Sequence, residues 1–186
     1  VQRGRLELLL VLLVFAAPFL AAEWAFRHWR PERPGNYGTL LGAREFAPAG
    51  LEDGAGRPFD LASLRGRWVL LVAAPGGCGE SCRRNLRLVR QLRLASGRDR
   101  GRIERLLLTA TRLDADLARE HPGMHQALSK DVPALDPELG RPDVGRHVYV
   151  LDPLGRMVLR FPPEADGARM LQDLKRLLKY SKPGRG

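Results

Sequence analysis

The stretch "WVLLVAAPGGCGESCRRNLRLVRQL", residues 68–92, constrains the fold most. Trp68 to Ala74 is an unbroken apolar run stopped by Pro-Gly-Gly. Its length and its lack of alternation are those of a strand buried on both faces. From Cys82 onward Leu86, Val89 and Leu92 recur at helical spacing, with Arg83, Arg84, Arg87, Arg90 and Arg93 between them. That pattern predicts an amphipathic helix ending near Ser96-Gly97. Between strand and helix lie the chain's two cysteines, Cys78 and Cys82.

The rest of the chain continues in alternation. "RIERLLLTA" (102–110) reads as a second strand, and "DADLAREH" (114–121) as a helix stopped by Pro122-Gly123. Residues 129–146 read as loop. "HVYVLDPLGRMVLRF" predicts a hairpin, because Pro153 presets a turn and Gly155 supplies positive φ. Met170, Leu171, Leu174, Leu177 and Leu178 line one face of a last helix. Strand, helix, strand, helix, hairpin, helix is the thioredoxin order: an α/β fold whose central sheet carries helices on both faces, here over residues 49–180. Residues 181–186 read as a disordered basic tail, and the Pro/Gly-rich residues 30–48 as an extended linker.

Residues 1–29 read as a membrane anchor. Fifteen uncharged residues run from Leu8 to Ala22, and Leu6 to Phe26 makes 21 interrupted by Glu7 and Glu23. That lies between a signal-peptide core and a full span. Arg3 and Arg5 precede it, and Trp24, Phe26 and Trp29 follow as an aromatic belt, with His28 beside them. Leu20 and Ala22 make a poor cleavage site, so an uncleaved single-pass inner-membrane helix is expected. Its N-terminus would be cytoplasmic and the main domain periplasmic. A cleaved signal peptide and a buried helix of a soluble protein are the alternatives.

The formal charge of +10 raises nucleic acid as a partner. The 31 Lys and Arg are scattered, no zinc-finger spacing occurs, and aromatic residues make up only 6%, so no nucleic-acid partner is expected.

Cys78 lies in a Gly-rich loop where a helix N-terminus favours a thiolate, and Cys82 is a turn into the helix. Arg83 and Arg84 add positive charge nearby and Glu80 opposes them. Cys78 is therefore the expected more reactive thiol. Cys-x-x-x-Cys permits a disulfide and also lets two thiolates converge on one soft ion such as Cu(I). Two packed core cysteines or a static disulfide are the blander alternatives. A peroxidatic role is disfavoured, since no Pro/Thr-rich loop precedes Cys78.

Strand, Cys-x-x-x-Cys at a helix start and a late "YVLDPLGR" hairpin together resemble the Sco/SenC family of cytochrome c oxidase assembly proteins. "RPGNYGTLL" and "DPLGRMVLRFPPEAD" resemble its bacterial oxidase-associated branch. The resemblance implies a membrane-anchored thioredoxin-like domain whose two cysteines and a distal histidine bind copper for the copper A site of oxidase subunit II. It also implies thiol–disulfide exchange with that subunit's cysteines. Subunit II and other oxidase assembly factors are the implied partners. The implied role is that of an assembly factor or metallochaperone with thiol–disulfide reductase activity, Cu(I) being favoured over Cu(II). The alternatives are a general periplasmic thiol–disulfide oxidoreductase and a non-catalytic scaffold.

Two departures stand out. Arg83 occupies the place of the proline that usually follows the family's second cysteine. Asp143 fits the family's aspartate, but Val144 stands where its histidine should be. The implied metal ligands here are thus Cys78, Cys82 and, as a shifted replacement, His147, which otherwise reads as an ordinary strand histidine. His121, Met124 and His125 form a second cluster at a helix end and the following loop.

Overall fold

The computed structural model describes residues 2–28 and 35–181. Within the first helix, side chains are described for Gly4 and residues 11–24. Residues 182–186 of the expected tail 181–186, residues 30–34 of the linker, and Trp29 lie outside these, as do the side chains of the belt residues Phe26 and His28. Ser181, the tail's first residue, accepts a hydrogen bond from Trp68 Nε1 at 2.8 Å. The chain divides into two units, residues 1–35 and 36–186.

The first unit is a helix, α1 (Gln2–His28), with Pro18 inside it. Val11, Leu12, Leu13, Val14, Phe15, Phe19, Leu20 and Trp24 are all exposed, so no side of the described segment is polar enough to be a water-facing stripe. Among the described residues no helix is long and apolar enough to cross a membrane. The expected span from Leu6 to Phe26 lies partly outside the described side chains.

Among the described residues the second unit is a seven-stranded sheet with three α-helices. The strands are β1 (Thr39–Glu45), β2 (Glu52–Asp53), β3 (Trp68–Ala74), β4 (Ile103–Thr109), β5 (His125–Leu128), β6 (Val148–Leu151) and β7 (Arg156–Phe161). The helices are α2 (Glu80–Ala95), α3 (Ala115–Glu120) and α4 (Gly167–Tyr180). The sheet order is β1-β7-β6-β3-β4-β5-β2. β3 is central, parallel to β4 and antiparallel to β6. This is why its seven residues are all buried and all apolar.

Alternation along β3 divides the core. Trp68, Leu70, Val72 and Ala74 face Cys82, Leu86, Val89 and Leu92 of α2, Leu117 of α3, and Met170, Leu174 and Leu178 of α4. Val69, Leu71 and Ala73 face Phe46, Leu51, Leu61, Leu64, Val132 and Leu139. That second cover is made of loops and 3-10 turns. The expected arrangement of helices on both faces is therefore corrected: the three α-helices pack into one core, and short turns close the other.

Three strands fall where none is expected: β1, β5 and the two-residue β2, which pairs antiparallel with β5. β1 lies inside the expected linker and pairs antiparallel with β7 as an edge strand. Gly42 and Ala43 both have positive φ, and the register shifts between Leu40 and Arg44. This is a bulge on an exposed edge, where no apolar alternation is needed. β5 continues the sheet parallel to β4 after a tight turn.

Asp173 of α4 fastens the start of this unit. It is buried, and its carboxylate accepts from the N–H groups of Tyr37 at 2.7 Å and Gly38 at 2.9 Å. Asp173→Ala leaves both donors without their acceptor. The expected loss is roughly 2–3 kcal/mol, read as a lower urea midpoint at unchanged m-value; an unaltered midpoint would contradict the tether.

Candidate functional site

The site begins where β3 ends. Gly77 turns the chain, its N–H donating to the Ala74 carbonyl at 3.0 Å. Its φ of +93° belongs to the left-handed region, and a Cβ there would lie 3.3 Å from Thr111 Oγ1. Glycine suits both constraints. Gly79 is the N-cap of α2, and the Arg83 N–H donates to its carbonyl at 3.0 Å. Cys78 thus precedes the cap, and Cys82 is the third residue of the first turn.

Cys78 and Cys82 form a disulfide, with their Cα atoms 5.1 Å apart. Cys82 is buried in the helix-side core and Cys78 is half-buried against it. Reduced, the two sulfurs remain within reach of one another and of a single soft ion. The flanking arginines face counter-charges: Arg83 meets Asp114 at 3.4 Å, while Arg84 and Arg146 meet Glu164 at 3.7 and 3.4 Å. All these pairs are substantially exposed, so their fields are screened. Exposure, more than the arginines, distinguishes Cys78 as the accessible sulfur.

A cleft of about 360 Å³ opens beside the disulfide. One wall is Pro75, Gly76, Gly77 and Gly79 with the first turn of α2, including Cys82. The other is the turn 142–146, including Asp143, Val144 and Arg146. Val144 is buried in this wall and offers no donor atom to a metal.

His147 follows this turn at the start of β6. It is 4% exposed, and both ring nitrogens are engaged. Nδ1 lies 2.7 Å from the Phe161 carbonyl oxygen, and Nε2 lies 2.9 Å from Asp143 Oδ2. Both partners are acceptors, so whichever ring nitrogen carries the N–H donates it to one of them and offers no lone pair to a metal, while the other nitrogen stays buried against the second oxygen. Ligation by His147 requires breaking one of these bonds. Among the described residues no group of three or more His, Cys, Asp and Glu is placed to hold a metal ion.

The hydrogen bond from His147 is the first cause holding the Asp143 carboxyl down at about 2, and the His147 and Arg141 charges act in the same direction. A depressed carboxyl stabilises the fold above its unfolded value near 4 and loses that contribution as pH falls through about 2. In a carbon-13 titration Asp143 should titrate near pH 2 in the wild type and close to the ordinary aspartate value in His147→Ala. An ordinary wild-type midpoint would contradict the pairing.

Asn85 is the positioning residue that sequence reasoning missed. It is buried on α2, one turn after Cys82, and its Nδ2 donates to the His147 carbonyl at 3.3 Å and the Gly145 carbonyl at 3.4 Å. It ties the 142–147 turn to the cysteine-bearing helix. The available signal was an asparagine at Cys82 + 3, beside Leu86 on the buried stripe. The second sequence cluster lies elsewhere: His121, Met124 and His125 line a different cleft.

A central mixed sheet, a disulfide at the start of the helix after its buried strand, and a terminal hairpin and helix define a thioredoxin-fold protein. The chain belongs to the family described as "Transmembrane-like, thioredoxin-like, C-terminal domain", which matches residues 68–181. No curated protein matches the chain. Its structural neighbours include Sco proteins. Yeast Sco1 with copper bound superposes with a TM-score of 0.61 at 18% identity, covering 78% of this chain and 99% of that one. Bradyrhizobium japonicum ScoI with copper bound gives 0.52 at 19%, covering 72% and 99%. The thioredoxin domain of a thiol-disulfide oxidoreductase from Bacteroides vulgatus gives 0.54 at 20%, covering 73% and 97%. At such identities the likeness establishes the fold.

Proposed function

We propose that the chain is a membrane-tethered, Sco-like assembly factor that keeps the cysteines of the copper A site of cytochrome c oxidase subunit II reduced. The observation that carries the reading is the Cys78–Cys82 disulfide at the N-terminus of α2. It opens on a cleft whose facing wall presents Val144 in place of a metal donor. The likeness to copper-bound Sco structures and to thiol-disulfide oxidoreductases supports both halves of this reading.

The exchange runs in two steps. The Cys78 thiolate attacks one sulfur of a partner disulfide, forming a mixed disulfide and releasing one partner thiolate. The Cys82 thiolate then attacks Cys78 Sγ, releasing the second partner thiolate and closing the Cys78–Cys82 bond. Two electrons pass to the partner, and its two thiolates take up protons according to pH. A second dithiol protein must restore the reduced state. The helix N-terminus stabilises the attacking thiolate, and burial of Cys82 keeps the second sulfur from competing partners.

Copper is cargo in this reading. Reduced Cys78 and Cys82 supply two soft donors, a set that suits Cu(I). Cu(II) prefers added nitrogen, and His147 is already committed to Phe161 and Asp143. Helix α1 holds the domain at the membrane, with its N-terminus in the cytoplasm and the cysteines outside; the exposed apolar side chains from Val11 to Trp24 support that role.

Equilibration with thiol/disulfide buffers, scored by alkylation, tests the redox half. One reversible two-electron transition is expected, and a disulfide that does not titrate would leave a scaffold. A reporter active only outside the cytoplasm, fused after Gly186, tests the topology. It should be active, and activity from a cytoplasmic reporter instead would reverse the orientation.

A further inference from the structure

We propose that the cleft at the start of β5 binds a single carboxylate, received by His121 and compensating the buried charge of Arg105. This cleft shares no lining residue with the one beside the disulfide. Arg105 is 3% exposed and His121 is 3% exposed. Among the described residues five buried side-chain nitrogen or oxygen atoms have no hydrogen-bond partner. Four of them belong to these two residues: Nε and Nη1 of Arg105, and both ring nitrogens of His121. Buried polar groups are nearly always partnered, so such a cluster points to a ligand.

The turn between α3 and β5 brings the two together. His121-Pro122-Gly123-Met124 is closed by the Met124 N–H donating to the His121 carbonyl at 3.2 Å. Gly123 has a φ of +70°, the conformation a type II turn requires after proline. Arg105 Nη2 donates to the Pro122 carbonyl at 2.5 Å, which fixes the guanidinium against the turn. His121 then lines a cleft of about 500 Å³ together with Met124, Phe59 and Arg57.

The sign of the local charge selects the ligand. Arg105 shares its face of β4 with Ile103 and Leu107, towards α2. Glu104 points to the opposite face and pairs with Arg67 and His125. Burial first, then the Arg93 and Arg90 charges, push the Arg105 guanidinium below the ordinary arginine value, with Glu104 acting against them. Burial first, then Arg105, push His121 down; Arg90 and Arg87 add to this and Glu120 opposes it. The surroundings are therefore positive. Imidazole and thioether are donors for a soft metal, but a cation there would face Arg105, Arg90 and Arg87. An anion relieves an uncompensated buried charge, which is otherwise costly.

The walls select its class. Asp53 is the one carboxylate among the described lining residues, and Arg57 already neutralises it at 2.7 Å. Leu113, Ala118, Met124 and Phe59 make much of the remaining wall. A singly charged carboxylate on an apolar stem matches one buried cation and an apolar cleft; a doubly charged phosphate carries a larger desolvation cost. The stem belongs to a free organic acid or to an acidic polypeptide segment.

Sodium acetate titrated at constant ionic strength into the full chain in detergent tests this, followed by the His121 ring resonances. A saturable shift is expected. Arg105→Met should weaken it at least about tenfold, roughly 1.4 kcal/mol, while keeping or raising the acetate-free thermal midpoint, because an unbranched apolar replacement removes the buried charge. His121→Phe, followed by the Met124 methyl signal, serves as a second variant should Arg105→Met fail to fold. Competition of acetate by a short glutamate-containing peptide assigns the site to a polypeptide segment. Acetate binding without peptide competition assigns it to a free acid. No saturable shift, or a shift retained at full affinity in a folded variant, would overturn the proposal.

Discussion

Cys82→Ser should trap a mixed disulfide with an oxidised partner, and Cys78→Ser should trap none. Cys78 is half-buried in the loop before the cap, whereas Cys82 is 3% exposed within the helix-side core. Cys78 is the sulfur more exposed to an external partner, although Cys82 also lines the cleft. With Cys82 gone, the mixed disulfide has no resolving thiolate and persists. With Cys78 gone, no first bond forms, and exchange falls to the rate of the uncatalysed reaction, since the thiolate is the nucleophile. Both variants should remain folded. Closing so short a loop contributes only about 2 kcal/mol in the chain-entropy treatment. Non-reducing electrophoresis with an oxidised copper A domain reads the outcome. A stable adduct with Cys78→Ser and none with Cys82→Ser would invert the assignment.

Val144→His should install the missing nitrogen ligand. Val144 lines the same cleft as Cys82, in the turn held to α2 by Asn85. An imidazole there presents its lone pair to the reduced cysteines without disturbing the bonds of His147. Cu(II), which favours nitrogen, should then bind at least about 100-fold more tightly, roughly 2.8 kcal/mol. Cu(I), satisfied by two thiolates, should change far less. His147→Ala should lower stability, because the contacts to the Phe161 carbonyl and the Asp143 carboxylate go, and leave both copper affinities near wild type. Copper titrations of the reduced variants under matched conditions measure this. A Cu(II) affinity unmoved by Val144→His would show that the turn does not face the thiols.

What was legible in the sequence follows from where physics acts locally. The β3 run, the α2 stripe and the α4 stripe are dictated by burial on a fixed period, and they appear within a residue or two of expectation. The hairpin announces itself through Asp152, whose carboxylate accepts from the Leu154 and Arg156 N–H groups, and through Gly155 at a φ of +83°. β1 was hidden because an edge strand with six exposed residues in seven carries no apolar pattern. β5 was hidden because its four residues follow a turn and are mostly half-buried. The cysteine placement was readable from the strand–loop–helix order. The engagement of His147 was not, because it depends on Phe161 and Asp143, which reach it from the next strand and the preceding turn. The orphaned pair Arg105 and His121 was equally hidden: an arginine in the middle of a strand gives no sign that its neighbours across the sheet lack a carboxylate.

The most direct measurement combines electron transfer with copper binding. The reduced 186-residue chain is mixed with the soluble copper A domain of an oxidase subunit II whose two cysteines are disulfide-bonded, and free thiols are counted on each chain. One partner dithiol should appear for each Cys78–Cys82 disulfide formed, and reduced wild type titrated with Cu(II) in parallel should bind it weakly, with no loss of affinity in His147→Ala. No thiol transfer, together with tight Cu(II) binding that disappears in His147→Ala, would contradict the exchange reading and restore a copper site of three ligands.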